Sequence, residues 1–429
     1  MRPAYGPGGA PGHRFLEVLP AWNTDAMRRR HLLALAPAAA LAACTEQGEE
    51  PRTDPERTGA GDPEDTREET AEESSEEATT EPTTEPPTAA ELLLKDLSSR
   101  ELAGQLVLVG IAAGTEIPTE VLTEHHAGGI FLLQVWRSAT AVEDTVAAAR
   151  VGSREDLPPL IAVDQEGGEV RMLRGNAARS TPSAEELGAE GPDAVTEAYT
   201  TIGEDLAAHG IQVALSPVAD VVDPDLADAN EPVGGLDRGF GTDPEQVGQC
   251  VTAAVEALEA QGVAATLKHF PGLGRVEENT DFSAEGIEDP VTGMEDPFLD
   301  SFAAGIEAGA GLVMMSSAIY PQLEADVPAM FSSVAIEDLL RDRLGFEGLV
   351  VTDDIGNAEA VASVPVAERI TRLLEAGGDA VVTADPSLTG QLVDAVEAWA
   401  AQDPEHEQRV RESAARMLAL KEHLGMLSR

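Results

Sequence analysis

A closed α/β barrel of eight strand–helix units is the fold this sequence predicts, and three observations predict it. Eight short runs rich in Val, Ile, Leu and Ala occur at 105–111, 129–136, 160–166, 213–221, 263–270, 311–317, 348–354 and 379–385. Continuous apolar runs of this length suit parallel strands buried on both faces. The stretches between them carry helix-type spacing, as at 251–262 and 335–346. No GxGxxG turn follows the first run, which counts against the runner-up, a doubly wound open sheet. Eight such units in about 340 residues make a (β/α)8, or TIM, barrel.

Taken from the N-terminus, residues 1–26 show no periodicity and read as a non-native extension ahead of a start at Met27. Residues 27–43 then read as a signal peptide: Arg28, Arg29, Arg30 and His31 lead into the apolar run Leu32–Ala43. That run is too short to span a bilayer as a mature helix. Leu41-Ala42-Ala43-Cys44 resembles a bacterial lipobox, which implies a lipid on Cys44 and an extracytoplasmic chain held at the membrane by that anchor alone. Paired arginines also permit twin-arginine export. Residues 44–90 form a linker. Within it, 46–85 hold 16 acidic and three basic residues, a net −13. Such a segment buries too little apolar surface to offset chain entropy, so it is predicted to be a disordered tether. The barrel domain occupies 91–429.

Charge narrows the function classes. The chain has 28 Lys+Arg against 78 Asp+Glu, a formal charge of −50. Phosphate binding needs a positive surface, so nucleic acid is excluded as a partner. Two cysteines, Cys44 and Cys250, provide neither a disulfide framework nor a Cys-rich zinc site. Cys250 is expected unpaired on an apolar helix. No HExxH, P-loop or spaced Cys/His cluster supports metal or nucleoside triphosphate chemistry, and no GxSxG signals a serine nucleophile. No metal and no cofactor are expected, and a monomer is.

In a barrel of this kind functional residues gather where the strands end. Asp164 and Glu166 follow the third run, Asp220 the fourth, Lys268 and His269 the fifth, Asp353 and Asp354 the seventh. Carboxylates are everywhere in so acidic a chain, so Lys268 is the informative one. It is one of three lysines, beside one of eight histidines, at the end of an apolar run before Pro271-Gly272. A carboxylate-lined cleft with a Lys-His pair suits polyol recognition and glycosidic chemistry.

Five segments then carry a resemblance: LIAVDQEGGEV (160–170), SPVADV (216–221), LDRGFGTDP (236–244), LKHFPGLG (267–274) and PAMFS…LLRDRLGFEGLVVTDD (328–354). They resemble glycoside hydrolase family 3, specifically its single-domain β-N-acetylhexosaminidase branch, from about Leu92 to Leu427. The resemblance implies a retaining hydrolase of O-glycosyl bonds with Asp353 as nucleophile, and substrate contacts from Asp164, Arg238, Lys268 and His269. Departures accompany it. The branch reads KHFPGHG, four residues, then Asp-Ser-His, the Asp-His pair being its acid/base dyad. Here Asn279 and Asp281 occupy those two positions, and Leu273 replaces the turn histidine. Glu169 and Met172 stand where two arginines are common, and Ser317 where a histidine is frequent.

An ordinary Asp titrates near 3.9, so Asp281 serves as the acid only if burial or neighbouring carboxylates raise it. Asn279 would orient it by hydrogen bonding. The expectation is therefore a glycosidase acting on a carbohydrate substrate, a β-linked hexosaminide such as a cell-wall fragment. Two alternatives stay open: a glycan-binding lipoprotein with weakened catalysis, and a β-glucosidase or phosphorylase of the same family.

Overall fold

The computed structural model describes residues 87–427. The extension, the signal peptide, Cys44 and the linker as far as residue 86 lie outside the described residues, while the last linker residues, 87–90, are described and run into the first helix. Helix Ala89–Asp96 opens the described chain, closed at its start by a capping box in which Thr88 and Glu91 satisfy each other's backbone amides. A second box, Ser98 with Glu101, starts helix Ser99–Gly104 and leads into the first strand.

All eight apolar runs form barrel strands. In chain order the strands are β1 (Val107–Ala112), β2 (Gly129–Leu133), β3 (Leu160–Val163), β4 (Gln165–Gly167), β5 (Val170–Arg171), β6 (Val213–Ala214), β7 (Ala264–Phe270), β8 (Leu312–Met315), β9 (Leu349–Asp354) and β10 (Ala380–Thr383). Eight of them pair in parallel in the cyclic order β1-β10-β9-β8-β7-β6-β3-β2, with β4 and β5 a separate antiparallel hairpin. Val107 opposite Val381 closes the ring between β1 and β10. The strands read as unbroken hydrophobic runs because both their faces are covered: barrel interior on one, helices on the other.

The predicted helices are present, one in altered form. Helix Pro244–Glu259, capped by Asp243 and opened by proline, buries Cys250 as a free thiol among Val247, Val251, Val255 and Leu258. The segment expected as an ordinary helix at 335–346 winds more widely, as a π-helix over Val334–Arg343. The last helix, Pro404–His423, packs against the first, where Glu422 accepts from the Ala89 amide at 2.8 Å.

Below the strands, two buried polar anchors hold this end of the barrel. Asp379, fully buried, accepts from Arg341 at 2.7 Å, Arg416 at 2.9 Å, Arg409 at 3.0 Å and the Val350 amide at 2.9 Å. It ties the π-helix, β9 and the last helix to the start of β10. Lys421 is also fully buried and donates to Gln105 Oε1 at 2.6 Å. The opposite, C-terminal end of the strands is thereby left to loops.

Candidate active site

Strand β7 delivers the central cation. Every residue of Ala264–Phe270 is buried, Lys268 included. A buried ammonium needs counter-charge, and the end of β3 provides it. Lys268 Nζ lies 2.7 Å from Asp164 Oδ1 and 2.5 Å from Glu166 Oε1. Arg238 grips the same Glu166 through both oxygens, with Nε and Nη2 each at 2.9 Å. Burial opposes ionisation of Glu166, but Arg238 and Lys268 outweigh it and hold the carboxyl at about 2. Burial likewise opposes the charges on Arg238 and Lys268, and the carboxylates around them reverse the sign and raise both.

Arg238 comes from a long loop, so its position needs explaining. Asn230, fully buried, donates to the carbonyls of Leu273 (2.7 Å) and Val276 (2.6 Å) and accepts from the Gly234 amide (2.7 Å). That one amide joins the Arg238 loop to the turn after β7. Gly274 completes the join: a Cβ there would lie 1.7 Å from the Val221 carbonyl oxygen. Only glycine fits, so the residue serves close packing. Arg238 Nη1 then donates to Pro232 O at 2.7 Å, leaving Nη2 shared between Glu166 and His269 Nε2, the latter at 3.2 Å.

His269 is fixed from the other side. Asp220, fully buried, lies 2.8 Å from His269 Nδ1 and accepts from the amides of His269 (2.9 Å) and Leu273 (3.0 Å). Because a guanidinium only donates, Nε2 accepts from Arg238 and Nδ1 carries the proton given to Asp220. Asp164, Lys268, Arg238 and His269, chosen from sequence as substrate contacts, are therefore one connected network. Sequence reasoning marked Glu166 and Asp220 as strand-end carboxylates without giving them roles. The signal that would have found them is Lys268 itself, since a buried lysine and its neighbouring arginine demand anions.

At the end of β9 two adjacent carboxylates divide the work. Asp354 accepts from the amides of Gly356 (2.8 Å), Asn357 (3.0 Å) and Ala384 (2.8 Å), binding the turn after β9 to the end of β10. Asp353 accepts from the Asp354 amide at 2.8 Å.

Asp281 sits on the excursion after β7. The loop is pinned to the segment following β9 by Glu359 N to Asp281 O and Ala360 N to Thr280 O, both 3.2 Å. Asn279 Oδ1 accepts from the Asp281 main-chain amide at 2.9 Å, so it orients the backbone of Asp281. Asp281 is exposed to solvent on this loop, with protein groups close around its carboxyl on the inner side. Crowding within the cleft, then the charges of Asp353 and Asp354, push its carboxyl up to about 7, against a partial offset from Arg238. These interactions place Asp281 with Asp353, Asp354, Arg238 and Asp164 at one end of the barrel.

Known proteins share this fold. The profile described as the glycosyl hydrolase family 3 N terminal domain matches residues 98–420, three quarters of the chain. The chain belongs to glycosyl hydrolase family 3. It is 36% identical over 302 residues to a beta-hexosaminidase of Xanthomonas campestris pv. campestris, covering 68% of this chain and 88% of that one. A solved beta-N-acetylhexosaminidase from Beutenbergia cavernae superposes with a TM-score of 0.73 at 43% identity, over 76% of this chain and 99% of its own. A family 3 beta-N-acetylglucosaminidase from Paenibacillus gives 0.68 at 30% identity, over 77% and 63%. The family 3 membership and the barrel expected from the sequence are both borne out, and the chain is a glycoside hydrolase.

Proposed function

We propose that this family 3 protein is a retaining β-N-acetylhexosaminidase in which Asp353 is the nucleophile and Asp281 the acid/base. One feature carries the reading: Asp281 lies within reach of the Asp353 and Asp354 charges, which together with the protein groups around it push its carboxyl up to about 7. A group that holds a proton to neutrality and then releases it is what a general acid needs.

In the first step an Asp353 oxygen attacks the anomeric carbon and the glycosidic C–O bond breaks. The Asp281 proton passes to the departing oxygen. In the second step Asp281, now ionised, takes a proton from water as that water attacks the anomeric carbon, releasing Asp353 and the sugar with retained configuration. Asp164, Lys268, Arg238 and His269 hold the sugar, the two cations by charge-assisted donation to its oxygens. Glu166 and Asp220 keep those groups rigid, so the ordering of the site is complete before substrate arrives.

The substrate class follows from the relatives, which are beta-hexosaminidases and beta-N-acetylhexosaminidases by name. The lipobox-like Cys44 and the acidic tether support action on peptidoglycan fragments outside the cell membrane, with the lipid on Cys44 as anchor. Incorporation of labelled fatty acid into the wild-type chain, absent in Cys44→Ala, tests the anchor.

The function is tested by turnover of chromogenic N-acetylglucosaminide and glucoside by the wild type and Asp353→Asn. Turnover of the first that vanishes in the variant is the expected result. Preference for the glucoside would overturn the substrate assignment, and absence of turnover on both would favour a glycan-binding role.

A further inference from the structure

Phe282 follows Asp281 directly, and its exposure is out of keeping with the rest of the chain. Aromatics make up 3% of the sequence. Among the described residues the aromatic side chains are buried or half-buried, except Phe282, which is 54% exposed. Fully burying a phenyl ring is worth about 1.5–3 kcal/mol, and a ring left half in water keeps part of that in reserve for a ligand that covers it. Of the other large exposed apolar residues, Leu92 and Val151 lie on helices away from Asp281, and Val291 is aliphatic.

The ring is exposed but its backbone is held. Phe282 N and Ser283 N both donate to Asn279 O at 3.0 Å, Glu278 N donates to Gly286 O at 3.2 Å, and Glu359 and Ala360 bind Asp281 and Thr280. A side chain presented from so tied a turn loses little entropy when it meets a ligand, which is the condition for a useful platform.

Chemistry fixes what the platform faces. The nucleophile and the acid act on opposite partners of one bond: Asp353 on the anomeric carbon, Asp281 on the departing oxygen. The residue joined to the acid lies on the same turn, one position from the group that meets the departing oxygen. A pyranose ring offers a face of C–H groups, and these sit well on the electron-rich face of an aromatic ring. We propose that Phe282 is the platform for the leaving-group sugar, a specificity determinant for a second pyranose ring beyond the scissile bond. This rests on the assignment of Asp281 as acid/base.

The test compares Phe282→Ala and Phe282→Trp with the wild type on two substrates. One is the β-linked disaccharide of N-acetylglucosamine, the other β-N-acetylglucosaminyl fluoride, whose leaving group has no ring. Phe282→Ala is expected to lower kcat/KM for the disaccharide by about 10–100-fold, mainly through KM, and to change the fluoride by less than about twofold. Those factors correspond to the affinity of one desolvated aromatic contact, about 1.4–2.7 kcal/mol. Phe282→Trp should retain the disaccharide rate. Equal losses on both substrates, or none on the disaccharide, overturn the platform while leaving the hydrolase reading in place. Wild-type inactivity on the fluoride overturns both.

Discussion

Asp353 and Asp354 are neighbours at the end of β9, and their carboxylates have opposite employment. Asp354 is engaged by three backbone amides, of Gly356, Asn357 and Ala384, whereas Asp353 accepts from the amide of Asp354 at 2.8 Å. The first is a clamp between β9 and β10; the second is near enough to Asp281 for its charge to raise that carboxyl. Substitution should separate the two duties. Asp353→Asn should lower turnover by more than about a thousandfold, or roughly 4 kcal/mol of transition-state stabilisation, and leave the unfolding midpoint in place. Asp354→Ala should lower the unfolding free energy by about 1–3 kcal/mol, because three backbone amides lose their shared acceptor. Retained turnover in Asp353→Asn would remove it from the nucleophile role.

The second prediction concerns pH. Asp281 is expected to titrate at about 7, against about 3.9 in the unfolded chain. As the acid it is competent below its folded pKa, so kcat/KM for substrates with poor leaving groups should fall as pH rises through 7. Activated aryl glycosides, which leave without a proton, should show a shallower limb. The effect on folding has the same origin. Between 3.9 and 7 the folded state binds more protons than the unfolded, so Asp281 takes stability away as pH rises across that window. Asp281→Asn should flatten the activity limb and be more stable than the wild type at pH 8. Equal slopes for both leaving groups would take Asp281 out of proton transfer.

Much of this architecture was legible in the residues. All eight apolar runs became barrel strands because a strand buried on both faces must be apolar at every position, which leaves an unbroken signature. Lys268 stood out because it is rare and strand-terminal, and Asp164, Arg238 and His269, which the family resemblance adds to it, prove to be joined with it in one network. Glu166 and Asp220 were seen and given no role, since in a chain of 78 acidic residues one carboxylate resembles another until its partner is placed. The position of Arg238 was illegible for a different reason. It depends on Asn230 bonding to Leu273 and Val276, more than forty residues away in sequence. The π-helix at Val334–Arg343 was also hidden, because apolar spacing does not distinguish it from an ordinary helix over ten residues.

A third prediction addresses Glu166. It accepts two bonds from the half-buried Arg238 and faces Lys268, itself buried like Glu166. Glu166→Gln keeps the shape but removes the charge, leaving two cations with less compensation. Removing one partner of a buried ion pair costs about 3–5 kcal/mol, so urea unfolding should show a loss of that order. KM should rise as Arg238 and Lys268 lose their fixed geometry. A variant as stable as the wild type would mean that Asp164 alone neutralises Lys268.

The last prediction lies at the other end of the barrel, with Lys421. Its ammonium is fully buried against Gln105 Oε1 and, among the described residues, meets no carboxylate, so burial pushes its pKa down to about 7. In the unfolded chain it titrates near 10.4. Between those values the unfolded state binds the extra proton, so this residue makes stability rise with pH from about 7 to 10; below 7 its penalty is constant. Lys421→Met removes the titration but leaves Gln105 without its donor, a cost of about 1–3 kcal/mol that does not vary with pH. The readout is therefore the difference between wild-type and variant unfolding free energies, measured from pH 6 to 9.5. It should be flat up to about 7 and then move steadily in favour of the wild type. A difference that stays level across the whole range would mean that Lys421 remains charged in the folded protein, with solvent reaching its nitrogen.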